Sequence, residues 1–256
     1  MKHAAHILLL CLVAAGSAQP AFAGTHPALA QPGKPLFEDD FSRPEMAPKW
    51  KVGKGFFTIA DGVVSVAENP DDHHPAYAYI KPNFPFKDII VEYSARLVGA
   101  KGCNLMINDT AYKDSHAGHI LRAGISPGHV SLADLKNGSM KLDIFNKMKD
   151  ANTTADEKKE LQASIKDKQA TFKVEEDAGE WHKVRVEIVG PEILISLDGS
   201  PAGYLKSDGI DHPTKNAIGF EVSGKSCELK NVQAWEATAD PGWAAHRDAV
   251  VSSLEQ

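Results

Sequence analysis

From Leu36 onward the chain is a succession of short runs rich in valine, isoleucine, phenylalanine and tyrosine, each closed by a cluster of glycine, proline, aspartate or asparagine. The runs occupy residues 57–59, 63–66, 76–80, 88–98, 103–107, 119–125, 130–135, 182–189, 193–197, 217–222 and 228–235. Strand-length runs punctuated in this way predict an antiparallel all-β domain, and so many of them suit a two-sheet sandwich better than an α/β fold. Alternation is cleanest from Trp181 to Ile188. There Val184, Val186 and Ile188 share one face, directed at a core, and Lys183, Arg185 and Glu187 share the other.

Four segments depart from the pattern. Residues 1–23 hold a short basic start, an apolar stretch around Ile7 to Val13 and the small residues of Ala21-Phe22-Ala23, the arrangement of a secretory signal peptide; the stretch is shorter than a membrane span. Residues 24–35, with three prolines, read as a flexible leader. Residues 138–177 shift to lysine, glutamate, aspartate and alanine, and Thr154-Ala155-Asp156-Glu157 is a capping start for a helix carrying Leu161 and Ile165. This insertion is expected to be partly helical and solvated, with a lid over a binding face or a docking surface for a partner protein as its functional alternatives. The sandwich proper is expected over 36–237, and the tail 238–256 to end in a short helix over 243–254.

Charge and cysteine content narrow the function classes. Of 256 residues, 28 are lysine or arginine and 34 aspartate or glutamate, a net charge of −6 that argues against nucleic acid as the partner. Beyond the leader only Cys103 and Cys227 remain. In an oxidising compartment they form a disulfide or stay as two buried thiols, and spacing does not choose between these. No phosphate loop, dinucleotide fingerprint, Cys-x-x-Cys pair or Gly-x-Ser-x-Gly elbow occurs.

The phrase Glu180 to Gly190 followed by Ile195-Ser196-Leu197-Asp198-Gly199 resembles the closing hairpin of laminin-G-like, concanavalin A-like jelly rolls. With Gly209-Ile210-Asp211-His212-Pro213-Thr214-Lys215, Ile218-Gly219-Phe220, Lys230 to Glu236 and the opening Leu36 to Phe41, the chain over 36–237 resembles the secreted bacterial 3-keto-disaccharide hydrolase family, related in fold to family 16 glycoside hydrolases. The resemblance implies a secreted or periplasmic jelly roll, a carbohydrate partner, and a hydrolase or lyase acting on 3-keto-disaccharides. A non-catalytic carbohydrate- or protein-binding module is the alternative. The Glu-x-Asp-x-Glu strand of retaining family 16 enzymes is absent, which disfavours their two-carboxylate mechanism.

Candidate chemistry follows from strand faces. Glu92 and Arg96 share a face of the run 88–98, and with Arg185 and Glu221 they would make a charged floor for sugar hydroxyls; the alternative is an ordinary ion-paired outer face. His119, in Gly118-His119-Ile120-Leu121-Arg122, resembles the family's Gly-His pair preceding an arginine and is the expected general base, with Glu92 and Arg96 as catalytic companions. His74, Asp109, Arg122, His212 and Lys215 are the expected substrate contacts, His212 and Lys215 doing so unless they merely cap a loop. No cofactor and no dedicated metal site are expected, although Asp71-Asp72-His73-His74 offers oxygen ligands to calcium. The test of this set is geometric: His119, Glu92 and Arg96 must open into one cleft.

Overall fold

The computed structural model describes residues 27–254 apart from 176 and 178, so the signal-peptide segment lies outside the described residues. Among the described residues there are fifteen strands and three α-helices: β1 (Ala30–Asp39), β2 (Trp50–Lys54), β3 (Phe56–Ala60), β4 (Val63–Ala67), β5 (Ala76–Ile80), β6 (Ile89–Leu97), β7 (Ala100–Asn108), β8 (His119–Ser126), β9 (His129–Asp134), α1 (Leu142–Lys149), α2 (Ala155–Ser164), β10 (Gln169–Lys173), β11 (His182–Val189), β12 (Glu192–Leu197), β13 (Ser200–Lys206), β14 (Ala217–Gly224), β15 (Cys227–Ala239) and α3 (Trp243–Leu254). They form two antiparallel sheets. One runs β13-β12-β11-β6-β15-β4-β3, with β1 joining β15; the other runs β10-β9-β8-β7-β14-β5-β2.

The two sheets pack through the alternating faces expected from the sequence. Val91, Tyr93 and Ala95 of β6 and Val184, Val186 and Ile188 of β11 meet Leu105 and Ile107 of β7, Leu121 and Ala123 of β8, and Ile218, Phe220 and Val222 of β14 in one buried cluster. Aromatic rings bridge the layers: Tyr93 meets Phe220 edge-on at 4.8 Å, and Trp50 lies 6.0 Å from both Phe220 and Phe41. Cys103 and Cys227 sit in this core as free buried thiols, one from each sheet.

Part of the outer face of the first sheet is covered. Leu29, Leu194 of β12, and Trp243 and Val250 of α3 form a second apolar cluster there. Beside it Arg185 is bonded to Glu92, to Glu187 and to the carbonyl of Ala30, while the backbone amides of Leu29 and Ala30 donate to Glu187. Burial raises the Glu187 carboxyl above its ordinary range, with Arg185 opposing.

One expectation is corrected and two elements are added to the reading. The leader over 24–35 is already in β1 from Ala30, because β15 extends to Ala239 and offers it an edge to pair with. The insertion over 138–177 contains α1 as well as α2, whose Thr154–Glu157 capping box forms as read, and it ends in β10, which pairs with β9. β13 carries glycine and proline in Ser200-Pro201-Ala202-Gly203, which hid it as a strand; Gly203 stands where a Cβ would lie 2.8 Å from the Phe172 ring.

Asp39 ties the sheets at their edge. At 2% exposed it accepts from both terminal nitrogens of Arg43 at 2.6 and 2.9 Å, from Trp50 Nε1 at 2.6 Å and from the Phe41 amide. Burial alone would raise its carboxyl, and the Arg43 and Trp50 bonds outweigh that and hold it below the ordinary value. Asp39→Ala, which strands these donors, is expected to cost about 3 kcal/mol, read as a lowered urea midpoint at unchanged slope.

Candidate functional site

With part of the first sheet's outer face covered, the outer face of the second is where aromatic and titratable side chains open to solvent in a cleft. The strand register lays out its rows. Tyr79 of β5 stands beside Gly219 of β14, which stands beside Met106 of β7, which stands beside Arg122 of β8. The next row holds Tyr77, Glu221, Asn104 and Gly124, and the row on the other side holds Ala217, Asn108 and His119. An open cleft of about 340 Å³ lies over these rows, lined by His74, Tyr77, Tyr79, Asn108, His119 and Glu221 among others.

Two glycines let the tyrosines lie across neighbouring strands. A Cβ on Gly219 would fall 2.5 Å from the Tyr79 ring, and one on Gly53 of β2 would fall 2.0 Å from the Tyr77 ring. The rings therefore lie over bare backbone, 5.9 Å apart, with His74 5.4 Å from Tyr77. The result is an aromatic wall along one side of the cleft.

On the opposite side a bulge at Asn108 and His119 turns both outward. Asn108 Nδ2 donates to the Tyr79 hydroxyl at 2.9 Å, which leaves Asn108 Oδ1 facing His119 Nδ1 at 2.9 Å. An amide oxygen only accepts, so His119 carries its proton on Nδ1 and presents Nε2 as a bare acceptor. Burial, then the neighbouring His116, His74 and Arg122, depress His119 to a pKa of about 4, so the ring is neutral at neutral pH. Burial also pushes the Tyr79 hydroxyl up to about 12; having accepted from Asn108, it keeps its own proton to donate.

The insertion closes one end. The amide of His116 donates to the Met140 carbonyl and that of Leu142 to the Asp114 carbonyl, which pins the start of α1 to the loop before His119. Phe145 of α1 stacks on His116 at 3.9 Å and 11° between planes, and Met140 packs with Met106, Ala133, Leu135 and Tyr79.

Of the residues singled out from sequence, His119, His74 and Glu221 line this cleft and Arg122 lies on the same face next to His119. Glu92, Arg96 and Arg185 do not join them. All three are on the outer face of the other sheet, where Glu92 is bonded to Arg185 and Arg96 to Glu228, with Arg96 over the Trp181 ring. The expected convergence of His119 with Glu92 and Arg96 is therefore corrected: alternation placed Glu92 and Arg96 away from the core, yet the whole sandwich separates them from His119. Asp109, His212 and Lys215 are corrected too. Asp109 is 3% exposed and accepts from Thr214 at 2.7 Å while contacting His212 Nε2 at 2.9 Å; Lys215 is fully buried, its ammonium donating to the carbonyls of Ile210 and His212. Burial lowers Lys215 to about 8, opposed by Asp88 and Asp211. His212 and Lys215 knit a loop, as their capping alternative held, and Asp109 is drawn into it by Thr214 and His212.

The Asp71–His74 loop disperses its ligands. Asp72 accepts from the Gly55 amide and His74 turns to Tyr77. Among the described residues no three His, Cys, Asp or Glu side chains gather as a metal set, and no helix is long and apolar enough to cross a membrane. The site residues missed in sequence are Tyr77, Tyr79, Asn108 and His116. Their signal was present in Ala76-Tyr77-Ala78-Tyr79-Ile80, where small core residues alternate with outward tyrosines.

No protein-family model matches the chain, and no curated protein does. Solved structures do. SCLam, a non-specific endo-β-1,3(4)-glucanase from family GH16, is 11% identical over 85% of this chain and 98% of its own, with a TM-score of 0.53. The Emp47p carbohydrate recognition domain is 13% identical over 79% and 97%, with a TM-score of 0.52. A Bacillus subtilis protein of unknown function with a galectin-like fold is 13% identical over 82% and 100%, with a TM-score of 0.51.

Because Glu92 acts within a buried ion cluster and not in the cleft, Glu92→Ala is expected to destabilise by about 3 kcal/mol by depriving Arg185 of a partner, and to leave ligand affinity at the cleft within twofold. Thermal melting and titration of one sample check both. The likeness to these structures shows the fold: a two-sheet, concanavalin A-like jelly roll similar in architecture to the galectin-like protein and to the family GH16 glucanase.

Proposed function

We propose that this is an exported carbohydrate-active protein that holds a saccharide against Tyr77 and Tyr79 and uses His119 as a general base on an oxidised sugar. The observation that carries this is the Tyr79–Asn108–His119 relay, which sets a neutral imidazole with a bare Nε2 beside a hydroxyl donor in one aromatic-walled cleft. Export is supported by the signal-peptide pattern of residues 1–23, and a carbohydrate ligand by two of the similar structures, a glucanase and a carbohydrate recognition domain.

Glu221 is the one carboxylate among the residues lining the cleft, whereas double displacement needs two about 5 to 5.5 Å apart. A 3-keto-glycoside needs no such pair. Its ketone acidifies the hydrogen on C2; His119 Nε2 takes that proton, the electron pair becomes the C1=C2 double bond, the C1–O bond breaks, and the departing oxygen takes the Tyr79 proton. Tyr79 is reprotonated from solvent. The shortage of carboxylates equally favours a second reading, a binding module with the same saccharide site and no turnover.

Incubation with a panel of oligosaccharides and 3-keto-disaccharides, followed by absorbance of the enone product, separates these readings. His119→Gln is expected to lower kcat/KM by about 10² to 10⁴ with unchanged melting temperature. Because the base form exists above its pKa, kcat/KM is expected to rise with pH through about 4 and stay level through neutrality. Binding without turnover gives the module reading, and neither binding nor turnover across the panel overturns both.

A further inference from the structure

Arg122 is placed where a sheet ordinarily supplies a counter-ion and finds none. Its cross-strand neighbours are Met106 and Ala133, and the outward positions flanking it on β8 are Gly124 and the neutral His119. The acidic residue next along β9, Asp134, stands opposite core-facing Leu121 and is spent on Ser207 and the Gly209 amide. Glu221 lies two strands away, in the adjoining row, bonded by Asn104. Among the described residues Arg122 has no ion pair, and its Nε is sealed from solvent with no acceptor.

A buried donor without a partner costs about 1 to 3 kcal/mol, more when charged, and such groups in a folded protein call for an explanation. A guanidinium is built to receive a planar anion through two parallel N–H bonds, and a carboxylate matches that fork. Lys51, the cation among the residues that line this cleft and also unpaired among the described residues, stands beside Tyr79 on β2. Four strand spacings of about 4.8 Å put it about 19 Å from Arg122, too far to share one carboxyl group. Arg122, on the sheet face next to the cleft residue His119, is thus the cation on the His119 side.

Resting on the saccharide reading above, we infer that the sugar held beside His119 is a hexuronate and that Arg122 receives its carboxylate. The inference deepens that reading by assigning a substrate class, acidic glycans containing uronic acid, and a specificity residue outside the Tyr79–Asn108–His119 relay.

The test uses matched probes on the full chain: hexuronate-containing disaccharides and the same disaccharides with the carboxyl group reduced to hydroxymethyl, titrated by calorimetry. The acidic member of a pair is expected to bind at least tenfold more tightly, and added salt is expected to erode that advantage. Arg122→Gln is expected to collapse the ratio to near one while leaving affinity for the reduced member within twofold, and Arg122→Lys to restore part of it. Should Arg122→Gln fail to fold, the acidic-to-reduced ratio and its salt dependence in the unaltered protein decide the matter. Equal binding of both members, or a ratio untouched by Arg122→Gln, overturns the hexuronate assignment and leaves the saccharide reading standing. Binding of neither member overturns both.

Discussion

Every strand in this molecule spends one of its two faces on the shared core, and that constraint decides where chemistry can occur. With the inner faces of both sheets committed to residues such as Val186, Leu121 and Phe220, only the outer faces remain. Part of one of them is then covered by the chain's own ends. Leu29 and α3 cover it with a second apolar cluster, and Arg185, Glu92 and Glu187 fill the space alongside with paired charges. The open aromatic cleft is on the other sheet, where the glycines at 53 and 219 remove the side chains that would have stood between the tyrosine rings and the backbone.

The strands were legible because burial writes a period of two into the sequence, and Val184, Val186 and Ile188 lie in the core as that period required. The site was legible only in part, because the same period says which residues share a strand face and nothing about which sheet a strand joins. Glu92 and His119 both face away from the core, and read from alternation they look alike. Their separation comes from topology: β6 hydrogen-bonds to β11 and β15, whereas β8 hydrogen-bonds to β7 and β9. Those pairings join residues far apart in the chain, and local pattern does not carry them.

The misplacement of Asp109, His212 and Lys215 has a different cause. Polar residues in a turn phrase signal exposed chemistry only when the turn has no backbone to satisfy, and this one does. The Asp109 carboxylate takes up Thr214 and the Ala111 amide beside His212, while the Lys215 ammonium caps two carbonyls that would otherwise be buried unbonded. A buried charge that meets such a demand looks, in sequence, the same as one awaiting a ligand. Arg122 is told apart from Lys215 by its missing partners, not by its residue type.

His119 and Arg122 constrain each other. Burial is the larger reason the imidazole stays neutral, and the nearby positive charges reinforce it, so the base stays unprotonated well below neutral pH. An anion seated on Arg122 cancels part of that repulsion and makes protonation of His119 easier, which is the direction a base needs once it is asked to take a proton from carbon. By reciprocity, protonation of His119 tightens the hold on the anion by the same factor. The unpartnered Nε of Arg122 and a part of the imidazole's low basicity thus belong to one arrangement, with burial accounting for the larger part. On the hexuronate reading, an acidic sugar compensates Arg122 and relieves that smaller part, while a neutral sugar leaves the charge of Arg122 uncompensated.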